Sequence, residues 1–206
     1  MARPRGTIGD DFAVDLYWLP LGAGGHSVRL NGRVYEAALS TFQRRRRLDL
    51  YHSALEVTTP DGVTVIEMAP ELIGARGDHG AVARGPVGSR LLGRSALFRY
   101  EVRRWLGGVI PDVDEAVESP RRLADGPGLA RRVLELVPRV PTPVWGRDEL
   151  QTGEMWNSNS LISWLVASVG LDVDAIAPPP GGRAPGWDAG IVVARRTGAA
   201  GKDVER

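Results

Sequence analysis

Two short segments of the chain carry side chains suited to nucleophilic chemistry. His52 lies in a strand-like run, 51–58, and Ser158 lies in the polar start, 157–160, of an apolar helical stretch. A histidine that accepts the serine proton makes the hydroxyl a nucleophile. The unpaired N–H groups of a helix start stabilise a developing oxyanion. This pair, with Ser158 as nucleophile and His52 as base, therefore predicts acyl transfer or hydrolysis of an amide, ester or thioester.

Glu67 is the candidate for a third catalytic group that orients the imidazole. Two strand-like runs flank the turn 59–62, whose Thr-Pro-Asp-Gly sequence is typical of a hairpin. Glu67 then falls across from Ala54 or Leu55, within diagonal reach of His52 in one of these two registers. A carboxylate there would fix the imidazole tautomer. The alternative is a half-exposed strand histidine beside a solvated glutamate.

Four further residues are candidates for binding a small-molecule or peptide ligand. Asn157 and Asn159 flank Ser158, Trp156 precedes them, and Arg147 has the planar fork that holds a carboxylate through two hydrogen bonds. Each also has a structural interpretation. Asn and Ser are the preferred helix caps, buried tryptophan packs a core, and Arg147 lies in a connection stiffened by prolines.

The order of these motifs resembles that of permuted papain-like proteins. A Tyr-His-Ser-Ala-Leu-Glu-Val strand precedes an Asn-Ser-Asn-Ser-Leu helix start, as in PPPDE-type peptidases, lecithin retinol acyltransferase-like enzymes and permuted NlpC-like hydrolases. The resemblance covers residues 48–170 and implies His52 as the base and Ser158 at the position of the nucleophilic cysteine. The chain has no cysteine. The resemblance thus leaves open an active Ser/His enzyme, an inactive domain that binds a peptide or acyl ligand, or a structural domain.

The pattern of apolar residues predicts an α+β fold in which a mainly antiparallel sheet packs on a central helix with peripheral helices. The resemblance implies that this fold is papain-like in permuted order. The expected domain spans 10–196, between an N-terminal tail, 1–9, and a polar C-terminal tail, 197–206. The predicted elements are strands at 12–21, 51–58, 63–68, 96–105 and 190–196, helices at 113–124, 129–137 and 157–169, and a glycine-rich mobile loop at 74–94.

Composition argues against several classes of partner. The 206 residues carry a net charge of only +1, so we expect no nucleic acid, and the run Arg44–Arg47 is interpreted as solvated. His26 and His79 lie in glycine-containing loops without the spacing of a zinc site, so we expect no metal and no cofactor. No apolar run is long enough to insert in a membrane. The N-terminal residues lack the apolar stretch of a secretion signal, so we expect a cytoplasmic protein.

Overall fold

The computed structural model describes residues 12–21, 49–71 and 80–203. Within these ranges, six strands form one antiparallel sheet in the order β4-β5-β3-β2-β1-β6. The strands are β1 (Ala13–Pro20), β2 (Asp49–Thr59), β3 (Gly62–Pro70), β4 (Ala81–Pro86), β5 (Arg99–Leu106) and β6 (Val117–Asp125). A short strand, β7 (Gly182–Arg183), adds in parallel to the start of β2.

Three helices lie on one face of this sheet: α1 (Pro127–Leu136), α2 (Ser158–Ser168) and α3 (Trp187–Asp203). Helix α2 contacts β2, β3 and α3, whereas α1 contacts β1, β2 and β6. The main core fills the space between these helices and the sheet, and it includes Leu16, Leu55, Ile66, Leu161 and Leu165, all fully buried. The helices and the sheet therefore form two layers around one hydrophobic core.

The opposite face of the sheet carries a smaller apolar cluster. Because successive strand side chains point to opposite faces, Leu19, Ala54 and Val65 leave the sheet away from the helices. They pack with Tyr17 and Ile110, the latter from the segment that follows β5. Charged residues of the sheet pair on this face as well, as described below for Glu67.

The structure confirms the α+β fold and the elements that have strong local signals. The hairpin forms about the predicted turn, and Gly62 at its end has φ 127°, a value that favours glycine. Helix α2 begins directly after Asn157 and is followed by Gly170 at φ 85°. The predicted helix at 129–137 corresponds to α1.

Three predictions for the secondary structure are wrong. The predicted helix at 113–124 is a short 3-10 turn, Val113–Glu115, followed by β6, because pairing with β1 overrides helical propensity and Pro120 lacks a helical N–H. The predicted loop at 74–94 contains strand β4. The predicted strand 190–196 lies inside α3, which continues to Asp203 through the expected C-terminal tail.

Packing at Gly190 explains why the segment 190–196 is helical. Glycine is a poor helix former in isolation, but here α3 crosses α2 so closely that a Cβ on Gly190 would lie 2.1 Å from the carbonyl oxygen of Ser160. The helix is therefore favoured by a tertiary contact that local sequence does not reveal.

Several residues weighed in the sequence analysis lie outside the described ranges: His26, Arg44–Arg47 and His79. In the part of the chain that is described, no helix is long and apolar enough to cross a membrane.

Candidate functional site

The structure does not bring His52 and Ser158 together. His52 pairs with Leu19 across β1 and β2 and alternates with Ala54, so its side chain leaves the face away from the helices. Ser158 opens α2 on the other face, where the Ser53 hydroxyl of β2 donates a 2.9 Å hydrogen bond to Asn159 Oδ1. The sheet thus separates the two groups, and His52 cannot accept the Ser158 proton directly.

Asn157 caps α2 as the structural interpretation predicts. Its Oδ1 accepts hydrogen bonds from the backbone N–H of Asn159 (2.9 Å) and Ser160 (3.3 Å), and the Ser160 hydroxyl accepts one from the Asn157 N–H (3.1 Å). These reciprocal bonds form a capping box. The Ser160 hydroxyl also donates to Gly186 O at 2.7 Å, which ties the helix start to the segment before α3.

Asn159 joins three parts of the chain at the helix start. Its Nδ2 donates to Tyr51 O (3.0 Å) and Pro185 O (2.9 Å), while its Oδ1 accepts from Ser53. Only 1% of Asn159 is exposed, and Ser158 beside it is 4% exposed. We call residues 157–160 the helix-start cluster. Hydrogen bonds of the cap and to other segments therefore hold this cluster within the protein.

His52 is poorly suited to act as a base in this environment. The His52 side chain is half-buried, and its partial loss of solvation lowers its pKa from 6.5 to about 4, a shift that the nearby charge of Asp112 opposes only in part. The imidazole is therefore neutral at physiological pH, and it binds a proton too weakly for efficient general-base catalysis near pH 7.

Glu67 forms an ion pair with an arginine. Arg103 Nη1 lies 2.8 Å from Glu67 Oε1, and Arg103 Nε lies 2.7 Å from Glu101 Oε1. Burial raises the pKa of Glu67, and the charge and hydrogen bond of Arg103 oppose that rise. Arg103 also donates to Pro70 O, so this buried guanidinium is held on three sides. In the described residues no hydrogen bond joins Glu67 to His52.

The two remaining binding candidates have different surroundings. Trp156 is 2% exposed and belongs to the main core, so its ring has no surface on which a ligand could stack. Arg147 is exposed, and its Nε donates to Gly88 O at 2.9 Å. That contact places Arg147 beside a basic depression that the sequence analysis did not identify.

This depression, the arginine cleft, is a shallow opening of about 380 Å³ between β4 and β5 and the turns that connect them. Its lining is dominated by arginine side chains with small residues between them. The lining residues are Arg84, Gly85, Pro86, Arg90, Gly93, Arg94 and Arg99. Arginine residues that line one depression can supply guanidinium donors to carboxylate or phosphate oxygens.

Arg84 and Arg94 of the cleft make fewer hydrogen bonds than the buried Arg103, whereas Arg99 donates from Nε to Gly93 O and from Nη2 to Arg94 O. Arg84 Nε and Arg99 Nη1 form ion pairs with the Glu71 carboxylate at 3.4 Å and 3.7 Å, and Arg84 Nη2 lies 3.9 Å from Glu101 Oε2. Arg90 pairs with Glu149, whose pKa this hydrogen bond lowers. In the described residues Arg94 makes no ion pair. Among the described residues, the guanidinium groups of Arg84 and Arg94 therefore keep donors for a bound anion.

Glycines give the cleft its shape. A Cβ on Gly93 would lie 2.4 Å from Pro86 Cβ, and a Cβ on Gly85 would lie 2.3 Å from the Tyr100 ring. The turn that contains Gly93 can therefore rest directly on β4. Arg99 fixes this arrangement further by donating from Nε to Gly93 O at 2.9 Å.

The sequence holds only a weak signal for this cleft. Four arginines occur in 84–99 at irregular spacing, and three glycines accompany them. The pairing of Arg84 with Glu101 across β4 and β5 brings these arginines to one place. No local pattern specifies that pairing.

No group of three His, Asp or Glu side chains in the described ranges is placed to hold a metal ion. Comparison of the chain with protein-family models, with curated proteins and with solved structures finds no match.

Proposed function

We propose that this protein is a non-catalytic binding domain whose ligand carries a phosphate or carboxylate group held in the arginine cleft. The observation that carries the proposal is that Arg84, Arg90, Arg94 and Arg99 line one depression. Arg147 is a further exposed arginine nearby, because it donates to the carbonyl of Gly88, which lies in the sequence between the cleft residues Pro86 and Arg90. Guanidinium groups bind such oxygens through paired, charge-assisted hydrogen bonds.

A binding function is favoured over a Ser/His hydrolase by the geometry of the predicted catalytic groups. The hydrolase mechanism needs His52 within hydrogen-bonding reach of Ser158, but His52 leaves one face of the sheet and Ser158 lies in α2 on the other face. A permuted papain-like origin is compatible with this proposal, since the histidine strand still precedes the helix that opens with Asn157 and Ser158. The domain would then have kept the scaffold without the chemistry.

The experiment that tests this proposal is titration calorimetry with inorganic pyrophosphate as the probe. We expect binding by the wild-type protein and a loss of about tenfold or more in affinity for each of Arg84→Gln and Arg94→Gln, because each removes charge-assisted hydrogen bonds. Arg195→Gln is the matched control, since Arg195 is an exposed arginine on α3, 3.6 Å from Asp174. Absence of binding, or an equal loss in all three variants, contradicts the proposal.

A further inference from the structure

Three exposed leucines lie on the turns that border the arginine cleft. Leu91, Leu92 and Leu97 are 71%, 45% and 67% exposed, whereas the core leucines of the sheet and of α2 are fully buried. Leu91 and Leu92 lie between Arg90 and Arg94 in the sequence. Apolar side chains are thus presented to solvent beside the basic groups proposed to bind an anion.

The turns that carry these leucines are anchored to the sheet. In the first 3-10 turn, Leu92–Arg94, the Leu92 N–H donates to Ser89 Oγ at 3.2 Å and the Gly93 N–H to Ser89 O at 3.1 Å. Val87 N donates to Phe98 O at 2.8 Å and closes the segment. Residues three apart in a 3-10 turn lie one above the other, so Leu91 and Arg94 project on the same side.

We infer that the arginine cleft and its leucines dock this protein on a membrane surface rich in anionic phospholipid, an inference that rests on the proposed anion-binding function. The arginines bind lipid phosphate or carboxylate groups, and Leu91, Leu92 and Leu97 enter the boundary between headgroups and acyl chains. Basic groups attract an anionic leaflet, and buried apolar side chains add to the attraction. The apolar residues project from two neighbouring turns, so a flat lipid surface fits them better than an extended peptide.

A second exposed apolar group supplies a matched control. Leu106 and Val109, 57% and 65% exposed, lie at and beyond the opposite end of β5 from the cleft. If exposed apolar area alone caused adsorption to lipid, Leu106→Ser would weaken it as much as substitutions at Leu91 and Leu97 do. If docking depends on the cleft, Leu106→Ser has no effect.

The test is co-flotation of the full chain with vesicles of phosphatidylcholine alone or of an equal mixture of phosphatidylcholine and phosphatidylserine. We expect binding to the mixed vesicles only, weakened by salt. The double variant Leu91→Ser/Leu97→Ser should bind the mixed vesicles at least about tenfold more weakly and keep its affinity for pyrophosphate. Arg94→Gln should lose about fivefold for vesicles and should also lose pyrophosphate affinity.

The two proposals fail in different ways. Pyrophosphate binding without vesicle binding overturns membrane docking and leaves the anion-binding function standing. Binding of a polyglutamate peptide but not of mixed vesicles also overturns it, in favour of an acidic protein partner. Vesicle binding that the leucine substitutions leave unchanged overturns the role of the turns. Failure to bind pyrophosphate, peptide and vesicles overturns both proposals.

Discussion

The helix-start cluster and the arginine cleft are both rich in polar side chains, but their surroundings differ. Asn157, Asn159 and Ser160 bond to one another, to Ser53 or to backbone groups, and Asn159 and Ser160 are almost completely buried. In the cleft, Arg84 and Arg94 are exposed and make no hydrogen bond to a carboxylate in the described residues. One polar cluster is therefore bonded within the protein, and the other is exposed to solvent.

The difference follows from the cost of burying polar groups. A buried polar group destabilises the fold unless it is hydrogen bonded, so a buried cluster must bond within the protein. An exposed guanidinium is solvated and exchanges water for a ligand at lower cost. The helix-start cluster is accordingly expected to control stability, and the arginine cleft to control binding.

The largest loss of stability is expected on substitution of Asn159 in the helix-start cluster. Asn159→Ala removes three side-chain hydrogen bonds, to Ser53, Tyr51 and Pro185, and leaves buried groups unpaired. We expect the free energy of unfolding to fall by about 3 kcal/mol, measured by urea denaturation. Arg94→Gln, the matched change in the cleft, should shift it by less than about 0.5 kcal/mol. Similar losses in both variants would remove the distinction.

His52 should show the cost of removing a titratable group from water through the pH dependence of stability. The pKa of His52 is lowered from 6.5 to about 4 on folding, so the unfolded chain binds the proton more tightly between these values. Stability is therefore full above pH 6.5 and falls as the pH drops toward 4, by about 3 kcal/mol at most. The free energy of unfolding, followed across this range, should become flatter in His52→Leu.

Asp112 provides the control for this pH dependence. Its charge raises the pKa of His52, so Asp112→Asn should lower the folded-state pKa further and increase the loss of stability in acid. A pH profile that is identical in wild type and His52→Leu would mean that His52 is solvated. It would then be an ordinary surface histidine, available to a ligand.

Local sequence signals predicted the parts of the fold that local interactions determine. The hairpin turn, with Gly62 at its end, and the cap at Asn157 are specified within a few residues. The segment 113–124 and the strand 190–196 were misassigned because β6 depends on pairing with β1 and α3 on close packing at Gly190. Those contacts join residues far apart in the sequence.

The candidate site shows the same limit. Because side chains alternate along a strand, the sequence predicts that His52 lies on the other face of its strand from the apolar residues Tyr51, Leu55 and Val57. The helix that carries Ser158 needs an apolar face to pack on, and the structure supplies that face with these residues. The arginine cleft depends on the register of β4 with β5 and on contacts of Gly85 and Gly93. A single sequence does not encode these features as a local pattern.

Within the helix-start cluster the smallest effect is expected at Ser158. Ser158 lies in the cluster, but its hydroxyl makes no hydrogen bond in the described residues, whereas Asn159 beside it makes three. Ser158→Ala should therefore change the free energy of unfolding by less than about 1 kcal/mol. Because His52 is on the far face of the sheet, a fluorophosphonate probe should not label the wild-type protein. Labelling that is lost in both Ser158→Ala and His52→Ala would show an activated serine, and the helix-start cluster would then be a catalytic site.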